Sequence, residues 1–305
     1  MVRVESVIVV GAAGFLGKEV SRLCQKQGLT TIGVDINPPE EGELFSRFHV
    51  VKQGDLNIGS ILSSIKPTYV INLAGNADVS RSVKEPRFDF NLSVDLFSSL
   101  LEQVRQLSPE TKVLLASSAA IYGQPRELPI LETMQPRPIS PYGYHKWMCE
   151  LLTQEYHAIY GTRVAALRVF SAYGAGLRKQ IFWDLCRKCA VDREIQLSGD
   201  GTESRDFIHV NDIASAILCI LRNSPFCGEA INVASGRETS IREIAELVIG
   251  GFGMDCSCLS FSGLQRAGDP KNWRADVSKL GTLGFTPSMD LKRGVASYVE
   301  WFRSL

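Results

Sequence analysis

The earliest pattern in the chain is an unbroken apolar run over residues 6–10, rich in β-branched side chains and free of polar alternation. A run of that kind fits a strand buried on both faces of a parallel sheet. Glycine follows at once, and Val20, Leu23 and Cys24 then recur at helical spacing over residues 18–26. A second strand, residues 30–34, ends in Asp35, and another short apolar stretch leads into Gln53-Gly54-Asp55-Leu56. Strand and helix alternate as far as Val169, where residues 163–169 form a further apolar strand, and a proline-rich loop over 124–141 interrupts them. At the end of that loop Ser140 is a good N-cap and Pro141 suits the first helical position. Trp147, Leu151, Leu152 and Tyr156 extend an apolar stripe beyond them, so a helix starts at Pro141.

The glycines Gly11-x-x-Gly14-x-x-Gly17 therefore sit on a strand-to-helix turn. Such a turn brings backbone N–H groups and a helix N-terminus up to a pyrophosphate, and side chains larger than hydrogen would block the approach. Asp35 stands where a dinucleotide site places an acid. Its carboxylate can accept from both hydroxyls of an adenosine ribose and would repel a 2′-phosphate. Ile36-Asn37-Pro38-Pro39 follows, with no arginine to neutralise such a phosphate, which favours NAD over NADP. Asp55 can bond the adenine amino group or cap the next helix. The pattern predicts an α/β fold: a Rossmann-type doubly wound parallel sheet with a smaller, interleaved α/β substrate-binding lobe. The sheet half takes residues 1–170 with 205–231 returning to it, and the lobe takes 171–204 and 232–305.

Composition narrows the picture by exclusion. At 305 residues the chain exceeds a typical single domain, which agrees with a sheet domain plus a lobe. Its 33 basic and 33 acidic residues cancel and form no basic run, which argues against nucleic acid or a membrane surface as partner. No apolar run approaches the ~20 residues of a membrane span and no signal peptide precedes the glycine loop, so a cytoplasmic location is expected. The eight cysteines are then expected to be free thiols. His145, His157 and His209 match no zinc spacing, and the pairs Cys186/Cys189 and Cys256/Cys258 lack further ligands, so no metal is expected.

Chemistry enters with Tyr142 and Lys146. Four residues apart on the predicted helix, they face the same way, so the lysine's positive charge can stabilise a phenolate beside it. Tyr142, in the first turn, is a candidate base.

With Asn72-Leu-Ala-Gly-Asn-Ala-Asp78, Ser117-Ser-Ala-Ala-Ile-Tyr-Gly123, Arg205-Asp-Phe-Ile-His-Val210 and Arg266-Ala-Gly-Asp269 added, these motifs fall in one order along the chain. That order resembles the extended short-chain dehydrogenase/reductases of the NAD-dependent epimerase/dehydratase group, enzymes that modify nucleotide sugars. The resemblance covers essentially the whole chain. It implies that Ser118 bonds the reacting sugar hydroxyl, Tyr142 is the acid/base and Lys146 binds the nicotinamide ribose. NAD would be held by Gly11, Gly14, Phe15, Leu16, Asp35, Asp55, Leu56, Leu73 and Ala74, together with Tyr142 and Lys146. On the substrate side Ser118, Ser171 and Leu197 would meet the nucleotide sugar, Arg205 and Arg266 would grip its diphosphate, and Asp269 would meet its ribose. Relatives often carry asparagine where Ser171 stands. The basic pair Arg178 and Lys179 would then act as a nearby positive clamp, or is an exposed basic turn. A homodimer is also expected.

The reaction type turns on two alanines. Dehydratases and decarboxylases of this group place acidic residues just after the catalytic Ser/Thr, to remove one proton and donate another. Ala119 and Ala120 occupy those places and can do neither, while Ser-Ser-Ala-x-x-Tyr-Gly resembles the epimerases. The expected activity is an NAD-dependent 4-epimerase acting on a UDP-hexose or UDP-N-acetylhexosamine through a 4-keto sugar. A nucleotide 4-keto-6-deoxysugar reductase needs the same three residues and remains the alternative. A non-catalytic dinucleotide-sensing protein is a third reading, against which stands the presence of Ser118, Tyr142 and Lys146 together.

Overall fold

The structure, a computed structural model, describes residues 5–264 and 270–305. Its first half alternates as the apolar pattern requires: β1 (Ser6–Val10), α1 (Phe15–Lys26), β2 (Thr30–Asp35), β3 (Arg47–Val50), α2 (Gly59–Ile65), β4 (Tyr69–Asn72), α3 (Val79–Lys84), α4 (Pro86–Phe90), α5 (Leu96–Leu107), β5 (Lys112–Ser118), α6 (Pro141–Tyr160) and β6 (Val164–Val169). The second half runs β7 (Ser171–Tyr173), α7 (Gln180–Val191), β8 (Ile195–Leu197), β9 (Ser204–Arg205), β10 (Phe207–His209), α8 (Val210–Asn223), β11 (Cys227–Val233), β12 (Thr239–Ser240), α9 (Ile241–Gly251), β13 (Leu259–Phe261), α10 (Ser278–Thr282) and α11 (Leu291–Arg303).

Seven strands form one sheet in the order β11-β6-β5-β4-β1-β2-β3, with every pairing parallel. Chain order reverses between β1 and β4, so the crevice at their carboxyl ends is the place where such a sheet binds ligands. Residues of β1 divide between two cores: Val7 and Val9 pack with α1 and α8 on one face, Ile8 and Val10 with α2, α5 and α6 on the other. Burial on both faces is why the run needs no polar alternation.

α1 starts at Phe15, three residues before the expected start, because Gly14 already serves as its N-cap. α6 starts where Ser140 and Pro141 place it, the Ser140 side chain accepting from Gly143 N. In the second half, β10 pairs with β7, α8 packs on α1, and β11 closes the sheet as far as Val233. The chain also crosses back once more, since Leu280 and Phe285, expected in the lobe, join the α1/α8 core. The lobe holds its own core, built from Phe182, Leu185, Ile195, Ile244, Val248 and Tyr298. Among the described residues, no helix is long and apolar enough to cross a membrane.

Candidate active site

Between the carboxyl ends of β1, β2 and β4 lies a cleft of about 230 Å³, lined by Gly11, Gly14, Asp35, Asp55, Leu56, Leu73 and Ala74 among others. Gly11 has φ +83°, and a Cβ there would stand 2.8 Å from Ala74 N. A Cβ on Gly17 would fall 2.0 Å from Gly11 O, so the helix can approach the strand only without one. No side chain caps α1 and no acid lies in its first turn, which leaves its N–H groups to an anion. Asp35 Oδ2 accepts from Ala13 N at 2.9 Å and Oδ1 from Asn37 N at 3.0 Å, so the carboxylate is pinned with lone pairs to spare. Asp55 lines the cleft and caps no helix: α2 starts later, after Ile58, with no side-chain cap. Phe15 and Leu16 open α1, and Phe15 leans on the lobe core while Leu16 packs on the α1/α8 core.

Lys146, 6% exposed, donates through Nζ to Ala116 O at 2.9 Å, and the same Nζ lies 5.7 Å from the centroid of the Tyr142 ring. One ammonium proton is thus committed and two remain. Ser118 ends β5, where its Oγ accepts from Ala120 N at 3.2 Å and caps the turn Ala119–Tyr122. Its own hydroxyl proton stays available to a ligand. Gly143 brings the two together: a Cβ there would meet Ala120 O at 2.7 Å, so the first turn of α6, with Tyr142, packs directly on the turn that follows Ser118.

On the lobe side the expected substrate contacts sit on β7, β8, β9 and the loop before α7. Ser171 starts β7 and is partly exposed, its N donating to Asp206 O at 3.0 Å. Lys179 Nζ spans from the lobe to Ala77 O at 2.9 Å, and its desolvation lowers its pKa while Asp78 opposes the shift. Arg178 is exposed, and its charge reaches Glu40. Leu197 ends β8, and Arg205 on β9 donates to Ser204 O at 2.8 Å with its guanidinium 5.7 Å from the Trp273 ring centroid. Arg266 and Asp269 lie outside the described residues.

Several contributors carry no local signal in the sequence. Ser82 Oγ accepts from Tyr142 N at 3.1 Å, from 60 residues upstream. A π-helical turn, Asn91–Asp95, precedes α5, and inside it Asn91 Oδ1 and Ser93 Oγ are buried without a hydrogen-bond partner. Turns of this kind gather at functional sites. A Cβ on Gly75 would sit 3.6 Å from Ser93 Oγ and 3.7 Å from Lys146 Nζ, so these groups border one space. Orphaned polar atoms, an uncapped helix and a glycine cradle are what a bound dinucleotide would satisfy and fill, and the residues present fit one.

The sequence matches the family described as "NAD dependent epimerase/dehydratase family" over residues 7–234. It is 28% identical over 315 residues to a putative UDP-glucose 4-epimerase of Methanocaldococcus jannaschii, with 98% of each chain covered. A UDP-glucuronate 4-epimerase of Thermodesulfobacterium geofontis is also 28% identical, over 96% of this chain and 95% of its own. Among solved structures, the UDP-N-acetylglucosamine 4-epimerase of Methanobrevibacter ruminantium in complex with UDP-N-acetylmuramic acid superposes with a TM-score of 0.88 at 27% identity, covering 99% of both chains. With the glycine turn, the Tyr142/Lys146 face and the Ser118 turn meeting at one crevice, the chain belongs to the NAD-dependent epimerase/dehydratase family.

Proposed function

We propose that this protein is an NAD-dependent UDP-sugar 4-epimerase acting on a UDP-hexose or UDP-N-acetylhexosamine. The observation that carries the reading is the packing of Tyr142 and Lys146 on the Ser118 turn, with Ala119 and Ala120 as the only side chains immediately beyond Ser118. Bound in the cleft, NAD would supply the hydride chemistry at C4, reversible oxidation of the carbon without net redox change. Tyr142 takes the proton from O4 as that carbon is oxidised and returns it after the sugar has turned over, and the Lys146 ammonium steadies the phenolate between the two events. Ser118 donates to the same oxygen and orients it. Neither alanine can move a proton, so the two positions just beyond Ser118 supply no acid or base for loss of water or of a carboxyl group.

Gly11, Gly14, Phe15, Leu16, Asp35, Asp55, Leu56, Leu73 and Ala74 would hold the dinucleotide, and Ser171, Arg178, Lys179, Leu197, Arg205, Arg266 and Asp269 the nucleotide sugar. The same reading includes a homodimer in a cytoplasmic setting. Support for the dimer comes from α6, whose outward face exposes Tyr144, Met148, Leu151 and Ile159. Support for the compartment comes from eight free cysteines. The direct test is to incubate the protein with a panel of UDP-hexoses and UDP-N-acetylhexosamines and no added reductant. A mixture of C4 epimers is expected. Turnover only of a 4-keto-6-deoxy sugar, with stoichiometric consumption of NAD(P)H, would replace this reading with a reductase.

A further inference from the structure

The hydroxyl beside the catalytic serine is committed away from the cleft. Ser117 Oγ donates to Glu150 Oε1, and both residues are buried. Glu150 lies four residues beyond Lys146 and eight beyond Tyr142, so the three share one face of α6. Successive turns of that face grip successive residues of β5: Lys146 holds Ala116 O and Glu150 holds Ser117, one residue short of Ser118.

The Glu150 charge is matched by Arg168, which stands opposite Ser117 in the β5/β6 register. Arg168 Nε donates to both carboxylate oxygens at 3.1 Å and Nη2 to Oε2 at 2.7 Å. Burial works against the Arg168 charge, and Glu150 together with Tyr122 more than offsets it, holding the guanidinium above the ordinary arginine value. Arg168 Nη1 then donates to Tyr122 Oη at 2.7 Å and to Glu132 O at 2.8 Å. Tyr122 ends the turn that starts just after Ser118, and its hydroxyl donates to Asn232 Oδ1 at 2.7 Å. Ser118 is therefore held from both sides: through Ser117 before it and through Tyr122 after it, by one ion pair anchored on the helix of Tyr142.

A buried ion pair gains little stability over an apolar pair of similar volume, because desolvation offsets its attraction. Stability alone does not account for it, whereas fixed directional geometry does. We propose that Glu150 and Arg168 are positioning residues that, acting through Ser117 and Tyr122, set the place of Ser118 relative to Tyr142. The kinetic part of the test rests on the epimerase reading.

Glu150→Gln is a poor probe, since a guanidinium stranded in the core threatens the fold itself. Ser117→Ala removes one hydrogen bond and keeps the ion pair. It should lower kcat about tenfold with KM and melting temperature nearly unchanged, and Ser117→Thr, which keeps the hydroxyl, should recover kcat to within about twofold. An unchanged kcat in Ser117→Ala would overturn the proposal. So would equal damage to both variants accompanied by a fall in melting temperature. A crystal structure of Ser117→Ala with NAD supplies a readout independent of the sugar: the separation of Ser118 Oγ from Tyr142 Oη should differ from that of the unmodified protein. An identical separation overturns the proposal. A changed separation in a protein that turns over no UDP-sugar would keep the positioning role and sink the epimerase reading instead.

Discussion

On the proposed reading Tyr142 is the base, and two of its neighbours on α6 bear on that role separately. Lys146 supplies positive charge 5.7 Å from the ring centroid, and Gly143 lets the first turn of the helix pack on the turn that follows Ser118. Tyr142→Phe should therefore lower kcat by about 10²–10⁴-fold and leave nucleotide-sugar affinity within a few fold, because it removes a proton acceptor and little surface. Steady-state kinetics beside calorimetric titration checks both halves. Tyr144 cannot take over the role, since it is exposed on another side of the helix. At the other end of the cleft, Asp35→Ala should let NADP compete while weakening NAD, and tighter binding of NADP than NAD to the unmodified protein would contradict the assignment. Both assignments come from the sequence, where each residue is picked out by its spacing together with the motifs around it. The contacts of Ser82 and of the network around Glu150 were not legible, because they join residues far apart in the chain: 33 positions for Ser117 to Glu150, 60 for Ser82 to Tyr142, 110 for Tyr122 to Asn232.

Among the elements, the strands whose burial is two-sided announce themselves by composition, and helices with a capping serine and a proline announce their start. The short strands of the lobe do not. β9 and β12 have two residues each and are held by what surrounds them. Asp206, just after β9, is the main fastener there. Its carboxylate is fully buried and accepts from Ser235 N and Oγ, Gly236 N and Ala275 N at 2.7–3.1 Å, tying the strand that carries Arg205 to two loops. Burial raises it from 3.8 to about 6, against the hydrogen bonds that favour the charged form. A carboxyl raised in the folded state holds its proton more tightly there than in the unfolded chain. Its contribution to stability is then fully present below the unfolded value and is lost as pH rises through about 6. A shift of ~2 units corresponds to about 3 kcal/mol. Chemical denaturation from about pH 4 to pH 7 should show the unmodified protein losing most of that relative to Asp206→Asn. A difference that stays flat across the range would mean that Asp206 is charged in both states.

For the whole molecule, two parts with separate cores meet over one crevice, and the chain passes between them more than once. The parallel, doubly wound class of the sheet followed from the alternating pattern, since parallel strands need helical crossovers, whereas the strand order itself is read only from the structure. The extra return of Leu280 and Phe285 to the sheet half did not follow from the pattern, because nothing local separates those residues from the lobe they leave. The exposed α6 face predicts assembly: Leu151→Asp should shift a dimer toward monomer in sedimentation velocity without abolishing the fold, and a monomeric unmodified protein would refute the dimer.

The central claim is that one carbon is oxidised and re-reduced at a single site, with Tyr142 handling the proton and the hydride never leaving the protein. A UDP-hexose carrying deuterium at C4 tests this most directly. Incubated without reductant, it should give the C4 epimer with deuterium still on C4, because the group that takes it gives it back. Epimer with the label exchanged for solvent hydrogen, or a 4-keto-6-deoxy or decarboxylated product, would contradict the account.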